Sequence, residues 1–197
     1  MTERPTSVAA VVLAAGGGRR YGMPKALVEY EGSLLVERAV RTARAVCDPV
    51  LVVLGARAVD VWRQADLDGA TVLANQDWET GMASSLRTGL DGLRGWPGRI
   101  DAAVVTLVDM PGMTPEALAQ VAGHAAPDAL AVATYEGVRG HPVLLGRDHW
   151  ARVIEMLTGD EGARRYLSAH GATEVDCTGL ADPTDLDVPP SGVPSAP

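Results

Sequence analysis

An α/β fold with a mostly parallel, mixed sheet follows from three features of the chain. Apolar, β-branched runs alternate with segments of helical spacing, the interior has few aromatics to build with, and a glycine-rich loop follows the first apolar run. Alternation of this kind joins parallel strands by crossover helices. Hydrophobic residues make up 47% of the 197 residues, with 4% aromatic and no Phe. The core must then be packed from Ala, Val and Leu, as in a sheet covered on both faces. The length suits one domain with a sizeable core. Residues 1–187 are expected to form it, and the Pro/Ser/Gly-rich stretch 188–197 is expected to be a disordered tail.

In chain order, Val8–Leu13, Val50–Leu54, Ala70–Ala74 and Ala102–Leu107 read as buried strands. Val36, Val40, Ala43 and Cys47 recur at helical spacing, and Val59–Ala65 and Ser84–Leu93 read as further helices. Thr114-Pro115-Glu116 is a helix start, with a hydroxyl to cap, proline at the first position and an acid behind it. Ala129–Tyr135 and Pro142–Leu145 read as strands joined through Glu136-Gly137 and antiparallel to their neighbours. Asp160 is expected to cap a helix running through Ala169, and Thr173–Asp176 to form a last short strand.

The net charge of −8 argues against a nucleic-acid surface, which needs a basic stripe. No window approaches membrane-spanning length, and the N-terminus has no secretory pattern, so a cytoplasmic protein without membrane contact is the default expectation. Cys47 and Cys177 give neither a disulfide framework nor a metal cluster and read as small buried apolar residues. His124, His149 and His170 lie in polar or helical surroundings and receive no role.

The segment Leu13 to Lys25 carries the chemistry. Gly16, Gly17 and Gly18 leave the backbone bare, so its N–H groups can approach an anion, and Arg19, Arg20 and Lys25 follow closely. A dinucleotide fingerprint fails here, because Tyr21 occupies the third glycine position and Pro24 blocks a continuing helix. A Walker A loop fails too, because Met23 and Pro24 follow Gly22 where lysine is required. A cation-flanked loop for a nucleoside triphosphate remains.

Ligands of open α/β sheets sit beyond the carboxyl ends of the parallel strands. The glycine loop, Asn75 to Gly81, and Asp109-Met110-Pro111 all follow such ends and so meet on one edge. On local sequence Asp109 reads equally as a turn residue before Pro111. Its shared edge with a phosphate loop favours Mg²⁺, which is held by carboxylates together with substrate phosphates. Asp185-Leu186-Asp187 offers a second carboxylate; Asp160 and Glu161 are alternatives that read more naturally as helix caps. Ser84 and Ser85 can cap a helix, hydrogen-bond a base or ribose, or do both. His141, after Gly140 and before Pro142, reads alone as a loop residue.

These residues carry a resemblance. Leu13 to Lys25 resembles the L-A-A-G-x-S-x-R-M-G-x-P-K signature of the small nucleotidyltransferases related to molybdenum cofactor guanylyl- and cytidylyltransferases. Trp78 to Leu86 resembles the family's W-x-x-G-x-x-x-S-L element. Asp109-Met110-Pro111 matches D-M-P, and Gly140-His141-Pro142 matches G-H-P. Gly159 to Arg164 resembles G-D-x-G-A-R, and Asp185 to Pro189 resembles D-I-D-T-P. Gly18 departs from the usual Ser, Tyr21 from Met, and the acidic residues and helix after Pro189 are missing.

The resemblance implies a three-layer α/β/α, Rossmann-like fold and Mg²⁺-dependent transfer of a nucleoside monophosphate from an NTP to a phosphate-bearing acceptor. By position, Leu13, Ala14, Ala15, Gly16, Gly17 and Gly18 would hold the nucleotide with Lys25, and Arg20 and Lys25 would bind the triphosphate. Gly81, Ser84 and Ser85 would border base and ribose. Arg20, Lys25 and Asp109 would serve catalysis, Asp109 would bind the metal with Asp187, and His141 would face the acceptor. Ala15 resembles the cytidylyl branch, which favours CTP and molybdopterin or its molybdenum form. The expected assembly is a monomer or weak dimer. A sugar-phosphate nucleotidyltransferase and a non-catalytic nucleotide-binding protein are the rival readings.

Overall fold

Seven apolar residues make β1 (Val8–Ala14), and all but its first are buried. A strand this continuous in hydrophobicity has a layer packed on each face. In the computed structural model, which describes residues 6–186, β1 lies inside a seven-stranded sheet.

After β1 come a small hairpin, β2 (Glu29–Tyr30) and β3 (Ser33–Leu34), and helix α1 (Leu35–Arg44). Then follow β4 (Val50–Leu54), α2 (Ala58–Gln64), β5 (Thr71–Ala74), α3 (Met82–Arg94) and β6 (Ala102–Leu107). The second half holds α4 (Pro115–Ala122), β7 (Leu130–Tyr135), β8 (Val138–Gly146), α5 (Trp150–Met156), α6 (Arg164–Ala169) and β9 (Thr173–Asp176). The sheet order is β5-β4-β1-β6-β8-β7-β9. The β5/β4, β4/β1, β1/β6 and β7/β9 pairs are parallel, while β6/β8 and β7/β8 are antiparallel. Among the described residues β8 therefore runs alone against its sheet, and the expected mixed, mostly parallel sheet is what forms.

Alternate residues of the strands face opposite layers. Ala10, Val12, Val52 and Val104 pack with Leu35, Val36 and Val40 of α1 and with Leu118 and Val121 of α4. Val11, Leu13, Val53 and Val105 pack with Leu86, Leu90 and Leu93 of α3, Trp150 and Val153 of α5 and Tyr166 of α6. The result is three layers, α/β/α. Gly89 lets α3 sit close, since a Cβ there would lie 2.5 Å from a methyl of Val11. Cys47 and Cys177 are buried free thiols. No helix among the described residues is long and apolar enough to cross a membrane.

Several elements depart from the sequence reading. The β2–β3 hairpin and α5 are additions to the sequence reading: two-residue strands are too short for periodicity to register, and no element is read over 150–156. β8 starts at Val138, before Pro142, and its register against β7 slips between Val132 and Ala133. Thr114 caps α4 as expected, accepting from the Ala117 N–H at 3.3 Å. Asp160 does not cap α6, which begins four residues further on. Gly159 and Gly162, at φ 54° and 53°, turn the chain between them, and the Asp160 carboxylate accepts instead from the Met82 N–H at 3.1 Å.

Candidate active site

The register of the parallel strands puts the ends of β5, β4, β1 and β6 on one rim, and the loops that follow them build the site. β1 and β6 run in step from Val8↔Ala102 to Leu13↔Leu107, and the Val108 N–H then donates to the Leu13 carbonyl at 3.1 Å. The β1 and β4 loops are joined likewise, the Ala56 N–H donating to the Ala15 carbonyl at 2.9 Å.

Leu13, Ala14 and Ala15 are buried, so the exposed part of the loop begins at Gly16. A Cβ on Gly16 would stand in open space, whereas one on Gly17 would meet the Trp78 ring at 3.0 Å. Trp78 thus forms a floor under the loop. Gly18 has φ 61°, and a Cβ there would collide with the Met23 carbonyl. Glycine suits this position: the chain bends back here in the left-handed region, closed by the Gly22 N–H donating to the Gly18 carbonyl at 2.8 Å. Arg20 lies on this exposed turn.

The loop returns through buried Pro24 to Lys25, whose Nζ donates to Asp109 Oδ2 at 2.7 Å. The two residues lie 84 positions apart, and their side chains are 16% and 20% exposed. The end of β6 and the glycine loop therefore meet at one ion pair. His141 lies close enough to Asp109 for the carboxylate to favour its charged form. Crowding of its ring outweighs that, and desolvation pushes its pKa down to about 4, so the imidazole is neutral near pH 7. The register slip in β8 spans His141 and Pro142, re-aiming the strand there. The Tyr135 hydroxyl donates to the His141 carbonyl at 2.9 Å, and burial raises the phenol pKa to about 12.

On the other side of the rim, Asn75 is buried and its amide donates to Ser84 Oγ at 2.8 Å and Ser85 Oγ at 3.0 Å. Its carbonyl accepts the Asp77 N–H at 2.9 Å. Ser84 is partly exposed, and Ser85 is buried. Gly81 stands at the head of α3 with φ 112°. Asn75 had no assigned role in the sequence; the available signal was an amide at a strand end shortly before a serine pair.

The chain from Leu180 to Leu186 crosses the loop that follows Asp109. Thr114 Oγ1 donates to the Leu180 carbonyl at 2.8 Å, and the Leu186 N–H donates to the Asp109 carbonyl at 2.8 Å. Asp187 lies outside the described residues. Beside this strap opens a cavity of about 1450 Å³, lined by His141, Asp185, Leu107, Met110, Arg139 and Arg164 among others. Its wall mixes apolar surface with charged groups of both signs, Arg139, Arg164 and Arg165 against Glu136, Asp160, Glu161 and Asp185.

A family model described as MobA-like NTP transferase domain matches residues 10–175. The chain belongs to this nucleotidyltransferase family. It is 34% identical to the nicotine blue oxidoreductase of Paenarthrobacter nicotinovorans, over 91% of this chain and 92% of that protein. It is 27% identical to a probable molybdenum cofactor guanylyltransferase of Geobacillus sp. strain WCH70, over 83% of this chain and 82% of that one. The manganese complex of Rv0371C from Mycobacterium tuberculosis H37Rv superposes with a TM-score of 0.75 at 29% identity, covering 92% and 94% of the two chains. Family and neighbours agree with the three-layer, Rossmann-like architecture.

Proposed function

We propose that the protein transfers a nucleoside monophosphate from an NTP, CTP before the others, to a phosphate-bearing acceptor of the molybdopterin class, releasing pyrophosphate. The observation that supports this most is the Lys25–Asp109 contact at 2.7 Å, which joins the anion loop to the carboxylate at the end of β6. The carboxylate already selects a cation. No cluster of three or more His, Cys, Asp or Glu side chains suited to a metal occurs among the described residues. That donor set fits Mg²⁺, which is commonly held by one or two carboxylates with substrate phosphates and water filling its shell. Asp109 would hold the ion, with Asp185 or Asp187 beside it. Once bound, it would neutralise phosphate charge.

In this reading, the bare backbone at Gly16 to Gly18 and the Arg20 and Lys25 side chains receive the triphosphate. The acceptor enters the 1450 Å³ cavity beside His141. A phosphate oxygen of the acceptor attacks the α-phosphorus in line, a P–O bond forms, and the bond to pyrophosphate breaks. The attacking phosphate is already ionised, so no general base is needed. A neutral His141 orients the acceptor by hydrogen bonding without adding charge. Positioning and charge neutralisation supply the catalysis.

The test is pyrophosphate release from CTP, GTP, ATP and UTP, with Mg²⁺ or Mn²⁺, in the presence of molybdopterin-type and sugar-phosphate acceptors. Release that requires the metal and the molybdopterin-type acceptor, and is greatest with CTP, is expected. Release with sugar phosphates alone would replace the acceptor, and NTP binding without release would make the protein a nucleotide-binding module. The relative named nicotine blue oxidoreductase favours a second reading, in which this frame serves an oxidation–reduction reaction. Oxidation of NADH or NADPH by the purified protein, with no pyrophosphate from any NTP, would establish that instead.

A further inference from the structure

The first amides of a helix have no carbonyl within the helix to bond. In α3 two of them are served from a segment far along the chain. The Met82 N–H donates to Asp160 Oδ1 at 3.1 Å, and the Ala83 N–H donates to the Gly159 carbonyl at 2.9 Å. A Cβ at position 81 would lie 2.5 Å from the Gly159 oxygen and 2.6 Å from Asp160 Oδ1. Glycine at 81 is therefore what lets the two backbones meet. The carboxylate also sits where the helix dipole favours negative charge.

The contact joins the wall of the acceptor cavity to a turn that also reaches the nucleotide side of the site. Asp160 and Gly162 wall the acceptor cavity, with Met82 beside them. The same first turn of α3 carries Ser84, fixed from the other side by Asn75. We propose that Asp160 is a positioning residue that sets the nucleotide-side turn of α3 against the wall of the acceptor cavity. The proposal rests on the nucleotidyltransferase reading. In a transfer between two bound molecules, a displacement of about 1 Å can cost on the order of a hundredfold in rate. A tether between the two half-sites should therefore act on the chemical step more than on either binding event.

The test is steady-state kinetics of Asp160→Ala and Asp160→Asn with both substrates varied, alongside thermal unfolding and amide exchange. Asp160→Ala should lower kcat about tenfold while the KM for each substrate stays within about twofold. Asp160→Asn keeps an oxygen for the Met82 amide and should recover most of the loss. A raised acceptor KM with kcat intact would make Asp160 an acceptor contact, and a lowered Tm with kcat intact would make it a cap only; either result overturns the proposal. Amide exchange gives a readout that needs no turnover. Asp160→Ala should speed exchange at Met82 through Ser85, and changes confined to residues 159–163 would overturn the tether. A wild-type protein that releases no pyrophosphate removes the functional reading instead, and the exchange result still decides whether Asp160 holds α3.

Discussion

β6 carries an aspartate near each end, and the two are used differently. Asp101, just before the strand, forms its ion pair within the local chain and also takes the Ser7 amide at the start of β1. Its Oδ1 accepts from Arg99 Nε at 2.6 Å and its Oδ2 from the Ser7 N–H at 3.1 Å. Both oxygens are committed to groups that hold the start of the sheet together. Asp109, beyond the other end, meets a lysine 84 residues away on a glycine loop, beside a large cavity and a half-buried histidine. An ion pair that ties neighbouring residues fastens the fold. One that spans the rim of a sheet beside a cavity keeps charges ready for something else.

The largest expected effect follows from that contrast. Asp109→Asn should lower pyrophosphate release on the order of a thousandfold, as loss of a preorganised electrostatic group does. Its Tm should stay near wild type, and a variant with wild-type turnover would move Asp109 to the structural class of Asp101. Lys25→Ala should come next, weakening NTP binding about ten- to a hundredfold by calorimetry, since one charge-assisted contact is lost. Unchanged affinity would mean that Lys25 serves only to neutralise Asp109.

Asp101→Asn should do the reverse: activity unchanged, stability lower by about 1 kcal/mol, because the bond to half-exposed Arg99 is screened while the Ser7 amide keeps an oxygen partner. The pH dependence has a definite sign. The Arg99 hydrogen bond, chiefly, and the Ser7 amide hold the Asp101 carboxyl below its ordinary 3.8. The folded state therefore binds that proton less readily than the unfolded chain. The contribution is complete above 3.8 and disappears as pH falls through the folded value. Unfolding curves taken from about pH 5 down to pH 2 should show a shallower acid loss for Asp101→Asn than for wild type. A parallel loss would place the acid sensitivity elsewhere.

Much of this contrast was legible in the sequence, for physical reasons. Buried parallel strands leave continuous apolar runs, so β1, β4 and β6 were found to within a residue, and the rim they share followed from topology. That Asp109 and the glycine loop would meet was expected; that Lys25 would be the residue that meets it was not. Asn75 and Asp160 could not be read in full, because each works through a hydrogen bond whose partner is fixed only by tertiary packing. Asp160 misled for a specific reason: an acid before a helix has the local form of a cap, and only the turns at Gly159 and Gly162 send it elsewhere.

Between the two aspartates, Thr106 gives the smallest effect and the finest test. It faces the α1 layer and is 2% exposed, and its hydroxyl makes no hydrogen bond among the described residues. Arg38 Nε is also buried without a partner among the described residues, and both residues line a cavity of about 140 Å³ behind the loop that follows Asp109. The rest of the Arg38 guanidinium is engaged, with Glu31 at 3.2 Å and the Pro111 carbonyl at 3.3 Å. A buried hydroxyl without a partner costs stability, and valine keeps nearly the same shape without it. Thr106→Val should therefore raise stability by a few tenths of a kcal/mol, with turnover unchanged. A loss of about 1 kcal/mol or more would show that the hydroxyl is hydrogen-bonded in solution, through water that the cavity has room for. In that case the loop carrying Asp109 would rest on a polar contact behind it, and the separation between the fastening end of β6 and its reactive end would be less complete than the two ion pairs imply.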